Sequence, residues 1–167
     1  MLCNDLISLG AQVGEMLKTR GQTVAVSESS AGGLVSAALL AMPGASSFYL
    51  GGAVVYTARA RDALLQLPAG AFKGMRSSSE PYALFAARTV RDRFRADWVI
   101  TETGAAGPTG NRYGDAAGHA CFAVVGPNDY AHSATLETGS DDRVANMQAF
   151  ALRALQELLR AIESRSD

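Results

Sequence analysis

The spacing of apolar residues predicts a chain in which helices and strands alternate. Between Asp5 and about Arg20, leucine and valine recur at steps of three and four residues, as on the buried face of an amphipathic helix. The same spacing begins again after Ser77–Pro81 and after Ser140–Asp142, and the serines and acidic residues there are typical of helix starts. These three stretches are predicted to be the long helices.

Short apolar runs between the helices predict five strands. They lie at Val24–Val26, within Ala45–Tyr56, and at Trp98–Thr103, Gly118–Val125 and Tyr130–Glu137. The last two flank a Gly-Pro-Asn-Asp turn and therefore predict a hairpin. Helices alternate with strands early in the chain and the hairpin comes late. This order predicts an α/β fold: a single three-layer α/β/α domain over residues 1–167 with a mixed, mostly parallel sheet that is antiparallel only near the hairpin.

Composition narrows the classes of protein to which the chain can belong. Of its 167 residues, 48% are hydrophobic and 19% are charged, which indicates a compact globular domain rather than a disordered chain. A net charge of −1 provides no field that would attract nucleic acid or an acidic membrane. Two distant cysteines suggest neither a disulfide framework nor a zinc site. We expect a cytoplasmic protein without signal peptide, membrane span, nucleic-acid partner, metal or cofactor.

The first candidate site is the segment Glu28-Ser-Ser-Ala-Gly-Gly33, which joins the first strand to a short helix. Such a junction is expected to carry the glycines in the first helical turn and to point unpaired N–H groups at a ligand. Ser29 and Ser30 lie at its mouth, so that one can cap the helix while the other faces a substrate. In the alternative interpretation both serines are caps, and Gly32 and Gly33 only allow close packing.

The second candidate site is the loop Gly104–Gly114, which follows a buried strand. Ligands of open α/β sheets bind at the carboxyl ends of the strands, where this loop is predicted to lie. Gly104, Gly107 and Gly110 would let backbone amides approach an anion such as phosphate. The alternative is an ordinary surface loop. The spacing of the glycines in this segment matches neither a Walker motif nor a dinucleotide-binding fingerprint.

Five ordered motifs carry a resemblance to a known family: Ser27–Gly33, Pro43–Ser46, Gly52–Tyr56, Ser79–Pro81 and Thr103–Gly110. Together they make the chain similar, over nearly its whole length, to the CinA C-terminal domain family, nicotinamide-nucleotide amidohydrolases also described as competence/damage-inducible proteins. The resemblance implies a C-terminal-type domain without the family's larger N-terminal molybdopterin-binding-like domain. It also implies a small-molecule nucleotide substrate, with the carboxamide of nicotinamide mononucleotide hydrolysed to nicotinate mononucleotide and ammonia.

The resemblance also implies which residues act. Ser29 matches the family's nucleophilic serine, Arg61 stands where the family has a lysine, and Tyr56 belongs to the same catalytic group. An arginine, with a pKa above about 12, cannot accept the serine's proton as a lysine could, although it can bind phosphate or stabilise negative charge. The substrate-binding residues implied are Glu28, Ser30, Gly32, Gly33, Thr103, Gly104, Ala105, Gly107, Gly110, Asn111 and His119.

Further departures from the family pattern leave the function open between three hypotheses. Asp115 replaces a family lysine, and Ala31 replaces a threonine at the helix mouth. His119 is the best candidate for a substitute base by its ordinary pKa, with a structural histidine as the alternative. The first hypothesis is the amidohydrolase, and the second is a catalytically impaired nucleotide-binding protein. The third is a structural module in which amphipathic helices form a homo-oligomer contact.

Overall fold

The computed structural model, which describes residues 2–67 and 70–165, contains five strands that form one sheet. They are β1 (Val24–Glu28), β2 (Tyr49–Val54), β3 (Trp98–Ala105), β4 (His119–Val125) and β5 (Ala131–Glu137). Their order in the sheet is β2-β1-β3-β4-β5; β1 is parallel to both neighbours, whereas β3, β4 and β5 are antiparallel. The predicted mixed sheet is confirmed. Its antiparallel part extends beyond the hairpin to β3 and β4, because a loop rather than a crossover helix connects them.

Helices cover both faces of this sheet. They are α1 (Asn4–Arg20), α2 (Leu34–Leu40), α3 (Ala58–Leu65), α4 (Glu80–Phe94) and α5 (Arg143–Glu163), with a 3₁₀ turn at Ala45–Ser47. The first face carries α1, α2 and α5, which contact one another, and the second carries α4 with α3 beside it. The predicted three-layer α/β/α architecture is therefore confirmed. No helix among the described residues is both long and apolar enough to cross a membrane.

Two hydrophobic cores lie on the two faces of the sheet, and the central strands contribute to both. In β3, Trp98 and Ile100 belong to the core under α1, α2 and α5, whereas Val99 belongs to the core under α4. In β4, Phe122 belongs to the core under α1, α2 and α5, and Ala123 belongs to the core under α4. Successive side chains of a strand point to opposite faces, so a continuous apolar run is what a strand covered on both sides requires.

The segment Ser29–Gly33, here called the serine turn, connects β1 to α2. Gly32 and Gly33 have φ values of +68° and +97°, in the left-handed region that side chains rarely adopt. A residue with positive φ cannot continue a right-handed helix, so α2 begins only at Leu34. The prediction that the first helical turn carries the glycines is wrong, because they form the turn that precedes the helix.

Glu28, the last residue of β1, binds the start of α2 with a fully buried carboxylate. Its Oε2 accepts hydrogen bonds of 3.0 Å from the N–H groups of Gly33 and Val35. Its Oε1 accepts from the N–H and the hydroxyl of Ser36, at 2.9 and 2.6 Å. A negative charge at a helix N-terminus is stabilised both by these donors and by the helix dipole. This carboxylate therefore replaces an ordinary N-cap side chain.

Glu102 in β3 holds the other end of the serine turn. Its Oε2 accepts from the N–H groups of Ser29 and Ala31, at 2.9 and 2.8 Å, and its Oε1 accepts from the Ser30 hydroxyl. Burial raises the pKa of Glu102, whereas these three hydrogen bonds act to lower it. The expectation that the junction points unpaired N–H groups at a ligand is thus wrong for most of them. Among the described residues, only the Ser30 N–H of this turn lacks an acceptor.

The close approach of α1 to α2 yields a first testable prediction. A Cβ on Gly10 would lie 2.4 Å from the carbonyl oxygen of Ala38. We expect Gly10→Ala to lower the free energy of unfolding by about 1–3 kcal/mol, because this overlap outweighs alanine's helix-propensity advantage of about 1 kcal/mol. Chemical denaturation measures the effect, and Ser8→Ala on the exposed face of α1 is the control. A more stable Gly10→Ala protein would contradict the packing described here.

The buried carboxylate of Glu102 yields a second prediction. Its pKa is raised above the unfolded value, so its ionisation destabilises the fold as the pH rises through the folded pKa. Glutamine cannot ionise, yet its carbonyl can still accept from two N–H groups. We therefore expect the stability of Glu102→Gln relative to the natural protein to increase as the pH rises above the ordinary pKa of a glutamate, about 4.

Glu102→Leu separates the contribution of the hydrogen bonds from that of the charge. Leucine leaves three donors of the serine turn without an acceptor, those of Ser30 and Ala31 being buried, and each buried loss costs about 1–3 kcal/mol. We expect this variant to be strongly destabilised at every pH. Equal stability of the glutamine and leucine variants, measured by denaturation across the pH range, would contradict the role given to these hydrogen bonds.

Candidate active site

A cleft of about 370 Å³ opens at the carboxyl ends of the parallel strands. The serine turn follows β1, Tyr56 follows β2, and Thr103 and Gly104 lie at the end of β3, so three strands deliver residues to one edge of the sheet. A larger hollow of about 670 Å³ lies near Trp98 and Asn128, at the opposite end of the sheet. Neither glycine-rich segment borders that hollow, and the smaller cleft is therefore the candidate site.

The walls of the cleft are polar and cationic. Two guanidinium groups, three phenols and several hydroxyls line it, and no carboxylate is among its described lining residues. The lining residues are Ser29, Val55, Tyr56, Thr57, Ala58, Arg61, Ser77, Ser78, Tyr82, Thr103, Gly104, Asn111, Arg112 and Tyr113. Such a lining fits an anionic ligand that also has a planar ring.

The two serines of the serine turn have different hydrogen bonds. Its N–H is held by Glu102, but its hydroxyl neither caps α2 nor hydrogen-bonds to any described residue. The neighbouring Ser30 is buried, and its hydroxyl is directed to the carboxylate of Glu102. The interpretation that both serines cap the helix is therefore wrong. One hydroxyl is structural, and the other is free at the wall of the cleft.

Arg61 projects from α3 into the same cleft. Its guanidinium lies 4.4 Å from the centre of the Phe72 ring, and its Nε is 3.3 Å from Oδ1 of Asp62. Burial raises the pKa of Tyr82, although the nearby charge of Arg61 acts to lower it. Since Asp62 is largely exposed, it neutralises the Arg61 charge only weakly. Arg61 therefore provides a positive charge on the wall of the cleft.

Arg143, at the start of α5, connects two parts of the site that are distant in sequence. Its Nη2 donates to the Tyr56 hydroxyl at 2.8 Å, and its Nη1 donates to the carbonyl of Gly107 at 2.6 Å. Asp142 precedes it as the N-cap of α5. Arg143 thus joins the segment after β2 to the loop after β3, a role that no pattern in the sequence indicated.

The loop after β3 is organised by Asn111 and Asp115. The Asn111 side chain accepts from the N–H groups of Tyr113 and Asp115, and its Nδ2 donates to Oδ2 of Asp115 at 2.8 Å. Asp115 also forms a two-pronged ion pair with Arg76, whose hydrogen bond lowers the pKa of that carboxyl. The negative charge at position 115 is therefore paired with a cation that precedes α4.

His119, the substitute base considered above, is held in a structural network. Its Nδ1 contacts Oε1 of Glu137 at 2.5 Å, and its Nε2 contacts the carbonyl oxygen of Ser78 at 2.9 Å. Burial acts to lower the pKa of His119, but these acceptors and the charge of Asp115 outweigh it and raise that pKa. Both ring nitrogens are occupied and His119 does not line the cleft, so its placement does not support a role as base.

Of the residues proposed from the sequence, six line the cleft together: Ser29, Tyr56, Arg61, Thr103, Gly104 and Asn111. The other eight lie outside its lining: Glu28, Ser30, Gly32, Gly33, Ala105, Gly107, Gly110 and His119. The structure therefore does not gather the three glycines of the predicted anion nest. Glu28 and Ser30 are buried in hydrogen bonds that hold the serine turn.

Several cleft residues were not found by the sequence analysis. Ser77, Ser78 and Tyr82 lie at the start of α4, where serines are most simply explained as caps; Ser79, the actual N-cap, has that role. Arg112 and Tyr113 lie in the glycine-rich loop, in which only the glycines, Ala105 and Asn111 were predicted to contact a ligand. A cationic and an aromatic side chain next to each other in a predicted ligand loop were the sequence feature that indicated these two residues.

No group of three or more histidine, cysteine, aspartate or glutamate side chains is arranged to hold a metal ion within the described parts of the chain. The two cysteines, Cys3 and Cys121, are not bonded to each other.

Comparison of the sequence with known proteins gives relatives that share most of this chain. A CinA-like protein from Prochlorococcus marinus is 35% identical over 159 residues, which is 95% of this chain and 37% of that protein. A CinA-like protein from a Synechococcus strain is 39% identical over 119 residues, which is 71% of this chain and 28% of that protein. The chain thus matches little more than a third of the length of the first relative and less than a third of the second.

Solved structures agree with this likeness. The competence/damage inducible protein CihA from Agrobacterium tumefaciens has a TM-score of 0.88 and 25% identity, covering 96% of this chain and 98% of its own. The competence damage-inducible protein A from Klebsiella pneumoniae has a TM-score of 0.89 and 26% identity, covering 98% and 100%. The family model of the CinA C-terminal domain matches residues 6–162. The chain therefore belongs to the CinA C-terminal domain family.

Proposed function

We propose that the chain hydrolyses the carboxamide of nicotinamide mononucleotide, releasing ammonia and nicotinate mononucleotide. The observation that carries this proposal is the position of Ser29, whose hydroxyl is free at the cleft wall while the surrounding turn is held by Glu28 and Glu102. A nucleophile needs an accessible oxygen on a backbone that does not move, and this turn provides both.

The lining of the cleft supports a nucleotide of this kind. A phosphate monoester requires cationic donors, and Arg61 and Arg112 can supply them without competition from a lining carboxylate. A pyridine ring requires a flat, partly apolar partner, and Tyr56, Tyr82 and Tyr113 border the same space. The distribution of charge and aromatic surface thus favours a mononucleotide with one anionic group and one planar ring.

The proposed reaction proceeds through an acyl-enzyme. The Ser29 oxygen attacks the carboxamide carbon and loses its proton, which makes the carbonyl oxygen an oxyanion. The N–H of Ser30, which follows the nucleophile and has no acceptor among the described residues, is the proposed donor to this oxyanion. Collapse expels ammonia and leaves an ester on Ser29, which water then hydrolyses. Arg61 stabilises negative charge but cannot accept the proton.

A second candidate function, nucleotide binding without turnover, is favoured by one observation. Position 61 is an arginine where the family resemblance implies a lysine acting with the serine, and a guanidinium stays protonated near neutral pH. In that case the cleft keeps its cations and its free hydroxyl, and only proton transfer is lost. The experiment below separates the two functions.

We expect calorimetric titration to detect binding of nicotinamide mononucleotide, and an assay of the same samples to detect ammonia. Ser29→Ala should abolish ammonia release, by on the order of 10³-fold or more, and leave the Kd nearly unchanged, because it removes the nucleophile but no cation. Ser46→Ala, on the exposed surface, is the matched control.

Two results would change the conclusion. Binding without ammonia release, together with turnover gained in Arg61→Lys, would establish the second candidate function. Ammonia release that survives Ser29→Ala would remove Ser29 as the nucleophile and with it the proposed mechanism.

A further inference from the structure

The proposed reaction needs a group that accepts the Ser29 proton, and the cleft itself limits the choice. Its described lining contains no histidine, lysine, aspartate or glutamate. The ionisable groups that remain are two guanidinium groups, which cannot act as bases, and three phenols. A proton acceptor that belongs to the wall of this cleft must therefore be a tyrosine.

The three phenols have different surroundings. Tyr82 is 7% exposed, and burial raises the pKa of its hydroxyl, which makes it a poor acceptor of protons. The Tyr56 hydroxyl accepts a hydrogen bond from the guanidinium of Arg143. The same guanidinium also donates to the carbonyl of Gly107. Tyr113 alone lies near two guanidinium groups, those of Arg112 and Arg76.

The contacts of Tyr113 favour its ionised form. Nη2 of Arg112 donates to the phenol oxygen at 2.9 Å, and the Arg112 and Arg76 guanidinium groups lie 5.1 and 5.9 Å from the ring centre. The hydrogen bond from Arg112 lowers the pKa of Tyr113, and polar groups of Ser77 act in the same direction against burial. The ion pair with Asp115 partly neutralises Arg76, so Arg112 is the stronger influence.

Hydrogen bonds hold the backbone of Tyr113 at the cleft. The N–H of Tyr113 donates to Oδ1 of Asn111 at 2.9 Å, and Asn111 is bound in turn to Asp115, which anchors the loop to Arg76. The ring is only partly buried, and it borders the space that Ser29 also borders. Catalytic hydrogen bonds often form only when substrate is bound, so direct contact between the two hydroxyls is not required in the free protein.

We propose that Tyr113 is the general base of this cleft and takes over the proton-accepting role that Arg61 cannot perform. This inference rests on the proposed function. The Tyr113 phenolate accepts the proton of the Ser29 hydroxyl as the Ser29 oxygen bonds to the carboxamide carbon. The resulting phenol gives a proton to the departing nitrogen, which leaves as ammonia when the C–N bond breaks. In the second half, the phenolate takes a proton from water, whose oxygen bonds to the ester carbon, and that proton passes to the Ser29 oxygen as it leaves.

The ionisation of Tyr113 is measured directly by the ultraviolet absorbance of tyrosinate during an alkaline titration. We expect one of the five tyrosines to ionise before the others, this step to be absent in Tyr113→Phe, and the step to move to higher pH in Arg112→Met. Tyr130→Phe is the matched control, because that ring also lies near a guanidinium, 5.1 Å from Arg165, but at the opposite end of the sheet. An early step that survives Tyr113→Phe overturns the proposal.

Kinetics test whether the same phenolate acts in the reaction. For hydrolysis of nicotinamide mononucleotide, we expect kcat/KM to rise with pH, Tyr113→Phe to lower kcat by about 10²-fold or more, and Arg112→Met to move the rise to higher pH. Tyr56→Phe is the competing variant. If it removes the pH-dependent rise while Tyr113→Phe keeps it, the base is Tyr56 and the proposal is overturned.

A second substrate separates failure of this inference from failure of the proposed function. p-Nitrophenyl acetate acylates an activated serine without any nucleotide recognition, and mass spectrometry can locate the acetyl group on Ser29. If the natural protein releases no ammonia but its acetylation at Ser29 rises with pH and loses this rise in Tyr113→Phe, only the substrate assignment falls. If the acetylation is equally fast in Tyr113→Phe, the assignment of the base falls, whatever the natural substrate is.

Discussion

Two buried carboxylates hold the serine turn, and the arrangement of the site depends on them. Glu28 and Glu102 accept hydrogen bonds from five backbone N–H groups and two hydroxyls between Ser29 and Ser36. Burying a polar group is unfavourable unless it is hydrogen-bonded, and both of these carboxyl groups accept hydrogen bonds from several donors. They fix the backbone that carries Ser29, and they also remove most of the turn's N–H groups from contact with a ligand.

The residues that hold the serine turn in place are different from the residues that line the cleft. The carboxylates lie beneath the turn, whereas the cleft in front of it is lined by guanidinium groups, phenols and hydroxyls. Its positive potential belongs to the two lining arginines rather than to the helix dipole, since Glu28 already compensates the N-terminus of α2. An anionic substrate would therefore be oriented by side chains from α3 and from the loop after β3.

The family resemblance implies a lysine at the position of Arg61. An exchange of lysine for arginine keeps the positive charge but not a group that can release a proton and take one up. A phenol close to guanidinium groups can accept and release a proton instead, because a neighbouring positive charge stabilises the phenolate. Similarly, the negative charge of Asp115 is matched by Arg76, so the altered loop is held by an ion pair that bridges to the segment before α4.

The sequence by itself determined the order of the elements, the three layers and the family, because periodicity and ordered motifs are local properties of the chain. The family resemblance also predicted that Ser29 and Arg61 share one site, and both line the same cleft. Only the tertiary structure decided which polar groups face the cleft: Ser30 resembles Ser29 in the motif, yet its hydroxyl is buried in a hydrogen bond to Glu102 in another strand. Such partners, like Glu102 with Ser30 or Arg143 with Tyr56, are about 70 to 90 residues apart, and no local pattern encodes a contact across that separation.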